Sequence, residues 1–219
     1  MTDKGFDNPG GADIAGTAKP PVRPRHAASI LVWRDGRDGP ELLMGRRNKA
    51  LRFMPDVMVF PGGRVDAGDA RAPAASELRP EVLAALSRVG TPGLARACAV
   101  AAARELFEET GLSLGEPPNL GCLDYLCRAV TPTSRPMRFN ARFLIAPADA
   151  ARGEIISSGE LEELGFYSAA AARAARMASI TEVILAEFLA WHAMPQAARG
   201  GRGLVRFLGM NQRIAERAR

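Results

Sequence analysis

The chain of 219 residues holds only two histidines, His26 and His192. That scarcity argues against a zinc or iron centre held by imidazole, so any metal must be held by oxygen. Cysteine is sparse too: Cys98, Cys122 and Cys127 are an odd number without paired metal spacing, and they are expected as buried thiols. No run of about 18 apolar residues occurs. The N-terminus also lacks the basic, apolar, small-residue order of a secretory leader. A soluble cytoplasmic protein with no membrane attachment is the expectation. Aromatic residues make up 6% of the chain, and lysine is limited to Lys4, Lys19 and Lys49, so the formal charge of +5 is carried by arginine. The arginines are scattered among acids, with no aromatic and basic platform of the kind that binds single-stranded nucleic acid. Phosphorylated small molecules suit such arginines better than nucleic acid does.

What is present is enough for one well-buried core, since 47% of the residues are hydrophobic. Residues 1–24, rich in Gly, Pro and Asp without periodicity, are expected as a disordered N-terminal segment. Residues 25–198 form the expected domain, and residues 199–219 an arginine-rich tail or terminal helix. "AASILVWR", the turn "DGRDGP" and "ELLMGRR" read as a hairpin, and "VMVF" as a strand running into a Pro-Gly-Gly turn. Further strands are expected near 122–130, 138–146 and 164–167, and helices at 94–110, 169–176 and 180–193, with Gly111 as the stop of the first. This mixture is α+β around one core.

The segment "RELFEETG", Arg104 to Gly111, places Glu105, Glu108 and Glu109 within an arc of roughly 100° on one helical face. No lysine stands nearby, and negative charge in the last turn of a helix is disfavoured by its dipole. A solvated acidic face is the plain reading. A hard divalent cation, Mg²⁺ or Mn²⁺, that also takes phosphate oxygens is the reading with chemistry in it.

The second half of the pattern is "GGRVDAGD", Gly62 to Asp69. With "AAARELFEETGL" it resembles the Nudix box, G-x5-E-x7-R-E-U-x-E-E-x-G-U, where U is aliphatic. Gly63, Arg104, Glu105, Leu106, Glu108, Glu109, Gly111 and Leu112 match, while Asp69 stands where the family has Glu. The resemblance implies a Nudix-type α/β/α sandwich around a mixed sheet, and hydrolysis of a nucleoside diphosphate linked to another moiety. It also implies that Glu105, Glu108, Glu109 and the Gly62 carbonyl hold Mg²⁺ or Mn²⁺, and that Arg104 orients the glutamates. Asp69 and Arg104 are separated by 34 residues where the pattern has seven, so a helical insertion is expected at about 70–93. Asp69 itself either replaces the family's Glu or serves as a turn or cap residue.

The interrupted box, with "TPTSRPMRFNARFLIA" and "GELEELGFYS" further on, is similar to the Nudix branch of coenzyme A diphosphatases and their bacterial relatives. That likeness makes Arg46, Arg47, Arg64 and Arg138 candidate phosphate contacts, "LRFMPDVMVF" a candidate apolar wall, and Glu160 or Glu163 a candidate general base beside Glu105. The implied partner is a small diphosphate: coenzyme A or its esters, ADP-ribose, a nucleotide sugar or a dinucleotide. A regulatory Nudix domain that binds nucleotides without chemistry is the competing reading, and a homodimer is one assembly left open.

Overall fold

The computed structural model describes residues 22–51, 54–209 and 212–215. Strand β1 (Arg25–Gly36) turns at Arg37 and Asp38 into β2 (Gly39–Arg47), and Gly36 pairs with Gly39. Gly39 has φ +119°, a conformation that a side chain disfavours. After the two-residue β3 (Met58–Val59) comes β4 (Gly62–Arg64), so the glycines expected as a turn are in fact a strand. β1 divides one edge between two partners: residues 33–36 pair with β2, and residues 27–29 with β4. Its other edge pairs in parallel with β6 (Phe139–Pro147), which is antiparallel to β5 (Asp124–Val130). β7 (Leu161–Ser168) lies antiparallel on β2. Among the described residues the result is one mixed sheet of nine strands.

Strand alternation sends successive side chains to opposite faces, and both faces are apolar. On one face Ala28, Ile30, Val32 and Leu144 pack against Cys98, Ala102 and Leu106 of helix α2 (Pro92–Thr110). On the other, Leu31, Met44, Phe143 and Ile145 pack against Ile184, Leu185, Phe188 and Trp191 of α4 (Ser179–His192), which follows α3 (Ala169–Ala174). Helices on both faces make the α/β/α sandwich expected from the sequence. Among the described residues no helix is long and apolar enough to cross a membrane.

Helix α2 begins and ends by local rules. Thr91 accepts the Leu94 N–H at 3.1 Å, Pro92 occupies the first turn, and Gly111 at φ +75° closes the end through its N–H to the Phe107 carbonyl. Ahead of it, α1 (Pro80–Ser87) buries Val82 and Leu86 against α2, so residues 70–93 hold a packed helix. Three expectations need correction. Cys122 is half-exposed rather than buried. Met58 and Phe60, offered as an apolar substrate wall, are core residues packed towards α4, while Arg52 and Phe53 of the same stretch lie outside the described residues. The described part of the tail, residues 199–209 and 212–215, forms strands rather than a terminal helix, and residues 210–211 and 216–219 lie outside the described residues. After the short α5 (Gln196–Arg199), β8 (Val205–Leu208) joins the sheet beside β5 and pairs with β9 (Gln212–Ala215). Alternating Val205 and Phe207 bury one side of that hairpin, a period that the arginines between them obscure. Of the N-terminal segment, residues 1–21 lie outside the described residues.

Candidate active site

The two halves of the acidic pattern meet because β4 runs beside the C-terminal half of α2. Gly63 lies so close to Glu105 that a Cβ there would sit 2.2 Å from a carboxylate oxygen, and one on Gly62 would meet the Ala28 carbonyl at 2.6 Å. Only bare backbone fits. The Gly62 N–H donates to Glu109 at 2.8 Å, so Gly62 meets this acid through its amide rather than its carbonyl.

Arg104 is the hub. Its guanidinium donates to Asp69 at 3.1 and 3.3 Å, to Glu105 at 2.8 Å, to Glu108 at 2.9 Å and to the Arg64 carbonyl at 2.9 Å. Burial works against its charge, but its hydrogen bonds to Asp69 and Glu105 outweigh that and raise its pKa. Asp69 accepts the Asp66 N–H at 2.7 Å within the turn, as a turn residue does, and also accepts from the Arg104 guanidinium. A short carboxylate reaches far enough because the turn itself comes to the helix.

The three glutamates share an arc but not an environment. Glu109 is only 3% exposed. Burial pushes its carboxyl up to about 8, the charges of Glu105 and Glu160 add to this, and the Gly62 N–H and Arg47 oppose it. Glu105 is also raised, by burial first and then by Glu108 and Glu160, against the pull of Arg104. Glu108 is half-exposed. Among the described residues no three acids are already gathered around a point that could hold an ion. Arg104 neutralises Glu105 and Glu108 instead.

Of the two loop acids, Glu160 acts electrostatically on both Glu105 and Glu109, whereas Glu163 pairs with Arg46 at 3.0 Å. Arg46 also lies 3.8 Å from Asp56, and both of its acid partners have left-handed backbone, φ +57° and +50°. Arg47 acts on Glu109. Arg64 lines a separate cavity with Arg25 and His26. Arg138 is buried and donates to the Thr131 and Val22 carbonyls at 3.0 and 2.6 Å, so it ties the start of β1 to β6 rather than presenting a free guanidinium to a phosphate.

Sequence reasoning missed Asn48. Its side chain donates to the Gly159 carbonyl at 3.1 Å and to Glu162 at 2.8 Å, while its N–H donates to the Glu160 carbonyl at 2.9 Å. Partners more than a hundred residues away leave no local signal for this clamp.

No protein-family model matches the sequence, and no curated protein does. Solved structures do match. A NUDIX hydrolase from Alicyclobacillus acidocaldarius superposes with a TM-score of 0.57 at 24% identity, over 75% of this chain and 90% of its own. The fold is the Nudix fold. A MutT NUDIX hydrolase from Burkholderia pseudomallei gives a TM-score of 0.50 at 20% identity, over 76% of this chain and 98% of its own. The NUDIX domain of Shewanella oneidensis NrtR, solved with ADP ribose, gives 0.51 at 11% identity, over 77% and 88%. Within this Nudix fold the string "RELFEETG" occupies the end of α2, and "GGRVDAGD" runs from β4 through the turn that holds Arg104.

Proposed function

We propose that this chain is a Nudix diphosphatase dependent on Mg²⁺ or Mn²⁺, acting on a nucleoside diphosphate linked to a second moiety. The observation that carries this reading is the Arg104 hub, which joins Asp69 to Glu105 and Glu108 although 34 residues lie between Asp69 and Arg104.

The donor set suits a hard cation. Two carboxylates, Glu105 and Glu109, border bare glycine backbone, and Glu109 is buried with its charge opposed by its surroundings. Glu105, Glu108, Glu109 and the Gly62 carbonyl are the proposed ligands. A cation bound there would neutralise the diphosphate and acidify a bound water. Arg104 holds Glu105 and Glu108 together, and Asp69 keeps Arg104 on station. Glu160, on the loop before β7, is the proposed proton acceptor, and its effect on Glu105 and Glu109 supports that role over Glu163. Arg47, which acts on Glu109, is the best-supported of the proposed phosphate contacts.

For substrate, coenzyme A and its short-chain esters fit first, giving adenosine 3′,5′-bisphosphate and 4′-phosphopantetheine derivatives. ADP-ribose, nucleotide sugars and dinucleotides compete, and a fold like this one binds ADP ribose in NrtR. A screen of these diphosphates with Mg²⁺, Mn²⁺ or chelator, read by product nucleotides, tests the proposal. Binding without turnover in any metal condition would favour a regulatory domain.

A further inference from the structure

The sheet face beneath helix α2 carries three arginines in a row. Arg142 of β6 pairs with Ala28 of β1 on one side and with Arg128 of β5 on the other, and Arg128 pairs in turn with Arg206 of β8. Residues opposite one another on paired strands share a face, and Ala28 marks this one as the face packed against α2. Arg142 is 0% and Arg128 7% exposed, so two guanidinium groups stand on adjacent strands inside the protein. Like charges so placed repel, and an interior charge without a counter-charge is costly.

The contacts of Arg142 supply no counter-charge. Its Nη1 meets His26 Nδ1 at 3.3 Å, and because a guanidinium only donates, that ring nitrogen accepts and the imidazole is neutral. Nη2 donates to the Val89 carbonyl at a long 3.4 Å. The Cys98 sulfur is a third partner, but burial pushes this thiol up and keeps its proton on. Asp69, whose charge reaches Cys98, is itself bonded to Arg104. The Arg142 Nε is buried and has no partner.

Nε and Nη2 lie along one edge of the planar guanidinium, the edge that can grip both oxygens of a carboxylate. Here Nη2 points that edge at the turn between α1 and α2, where it finds the Val89 carbonyl alone. The Ser87 hydroxyl, on the last residue of α1 and two before Val89, is the other buried side-chain donor without a partner among the described residues. The turn is tight: the Gly90 N–H donates to the Ser87 carbonyl at 3.2 Å, and a Cβ on Gly90 would stand 3.5 Å from Arg142 Nη2. Two donors without acceptors therefore belong to one junction, and a buried polar atom of this kind asks for an explanation.

We propose that the Nε–Nη2 edge of Arg142 and the Ser87 hydroxyl hold a small inorganic anion, chloride, which clamps the turn between α1 and α2 onto the sheet. A water molecule would accept from Nε but leave the charge unanswered. Complete burial favours a monoatomic ion over a phosphate group. The site lies apart from the carboxylates of the active site, and its test needs no turnover.

The full chain is melted at fixed ionic strength while chloride replaces gluconate, an anion too large for the buried edge. The melting temperature of the parent should climb by about 3–5 °C for each tenfold rise in chloride beyond half-saturation. Ser87→Asp supplies a carboxylate in place of the ion and should abolish the climb, while Ser87→Ala removes one donor and should move it to higher chloride. In crystals soaked with bromide, the anomalous signal should peak at the Nε of Arg142. A parent with the same melting temperature in chloride and gluconate overturns the site. An equal climb in the parent and in Ser87→Asp also overturns it, because salt would then be acting on the surface at large. A bromide peak without chloride-dependent stability marks an adventitious ion only and overturns the clamp.

Discussion

The Gly62 amide donates to the Glu109 carboxylate at 2.8 Å across 47 residues of sequence. This bond fixes the start of β4 against the last turn of α2, and the side chains of both halves of the site depend on that spacing.

Backbone closeness at this junction makes the glycines irreplaceable. In Gly63→Ala the new methyl would enter the space of the Glu105 carboxylate, 2.2 Å from an oxygen. The side chain must swing away, at a cost of about 1–3 kcal/mol in stability and most of the turnover. A variant with the melting temperature and kcat of the parent would contradict the close packing described here.

Glu108 and Asp69 should separate catalysis from stability. Glu108 is half-exposed, so Glu108→Gln should fold normally while losing turnover by orders of magnitude and binding Mn²⁺ more weakly. Asp69 is buried and bonded to Arg104 and to the Asp66 amide, so Asp69→Ala should lose roughly 2–3 kcal/mol of stability in addition to activity. Denaturant titrations of the two variants, run beside rate measurements, check the contrast. Equal stability losses would mean that the two carboxylates do the same job.

Asn48 should act through the loop that bears Glu160. Asn48→Asp keeps the acceptor that caps the Ala50 N–H at 2.8 Å, but removes the donors to Gly159 and Glu162. The expected result is faster amide exchange at residues 157–163 and a drop in kcat of about tenfold with little change in KM. In a Glu160→Gln background the same change should cost little more, because the two residues act as one unit. Fully additive losses would show that Asn48 acts independently of Glu160.

The buried carboxyl predicts a pH effect on the metal-free protein. Glu109 in the fold holds its proton up to about 8, against an ordinary value of 4.5. Between those values the folded state binds more protons than the unfolded one, so stability falls as pH rises through this window. Glu105 is shifted in the same direction. Denaturant midpoints taken in chelator at pH 5 and pH 8.5 should fall more for the parent than for Glu109→Gln. Saturating Mg²⁺ should shrink the difference. Parallel behaviour of the two proteins would show that Glu109 is not the group responsible.

The sequence alone determined what short-range rules govern. The acidic arc on α2 follows from helical geometry, its ends from Thr91, Pro92 and Gly111, and the hairpin of β1 and β2 from alternating apolar residues around a glycine turn. Those features need only neighbours within a few residues, so spacing reveals them. Tertiary structure decided which partners each charged side chain takes. Arg138 and Arg64 look alike in sequence, yet one is bonded to carbonyls inside the sheet and the other lines a cavity. The pairing of Asp69 with Arg104, the grip of Asn48 on the Glu160 loop and the contact of Arg142 with His26 join residues 35, 111–114 and 116 positions apart. Such contacts exist only because the strands are stacked in one order, and chain distance carries no trace of that order. A guanidinium goes where buried acceptors are left over, and the packed sheet, not the local sequence, decides where those are.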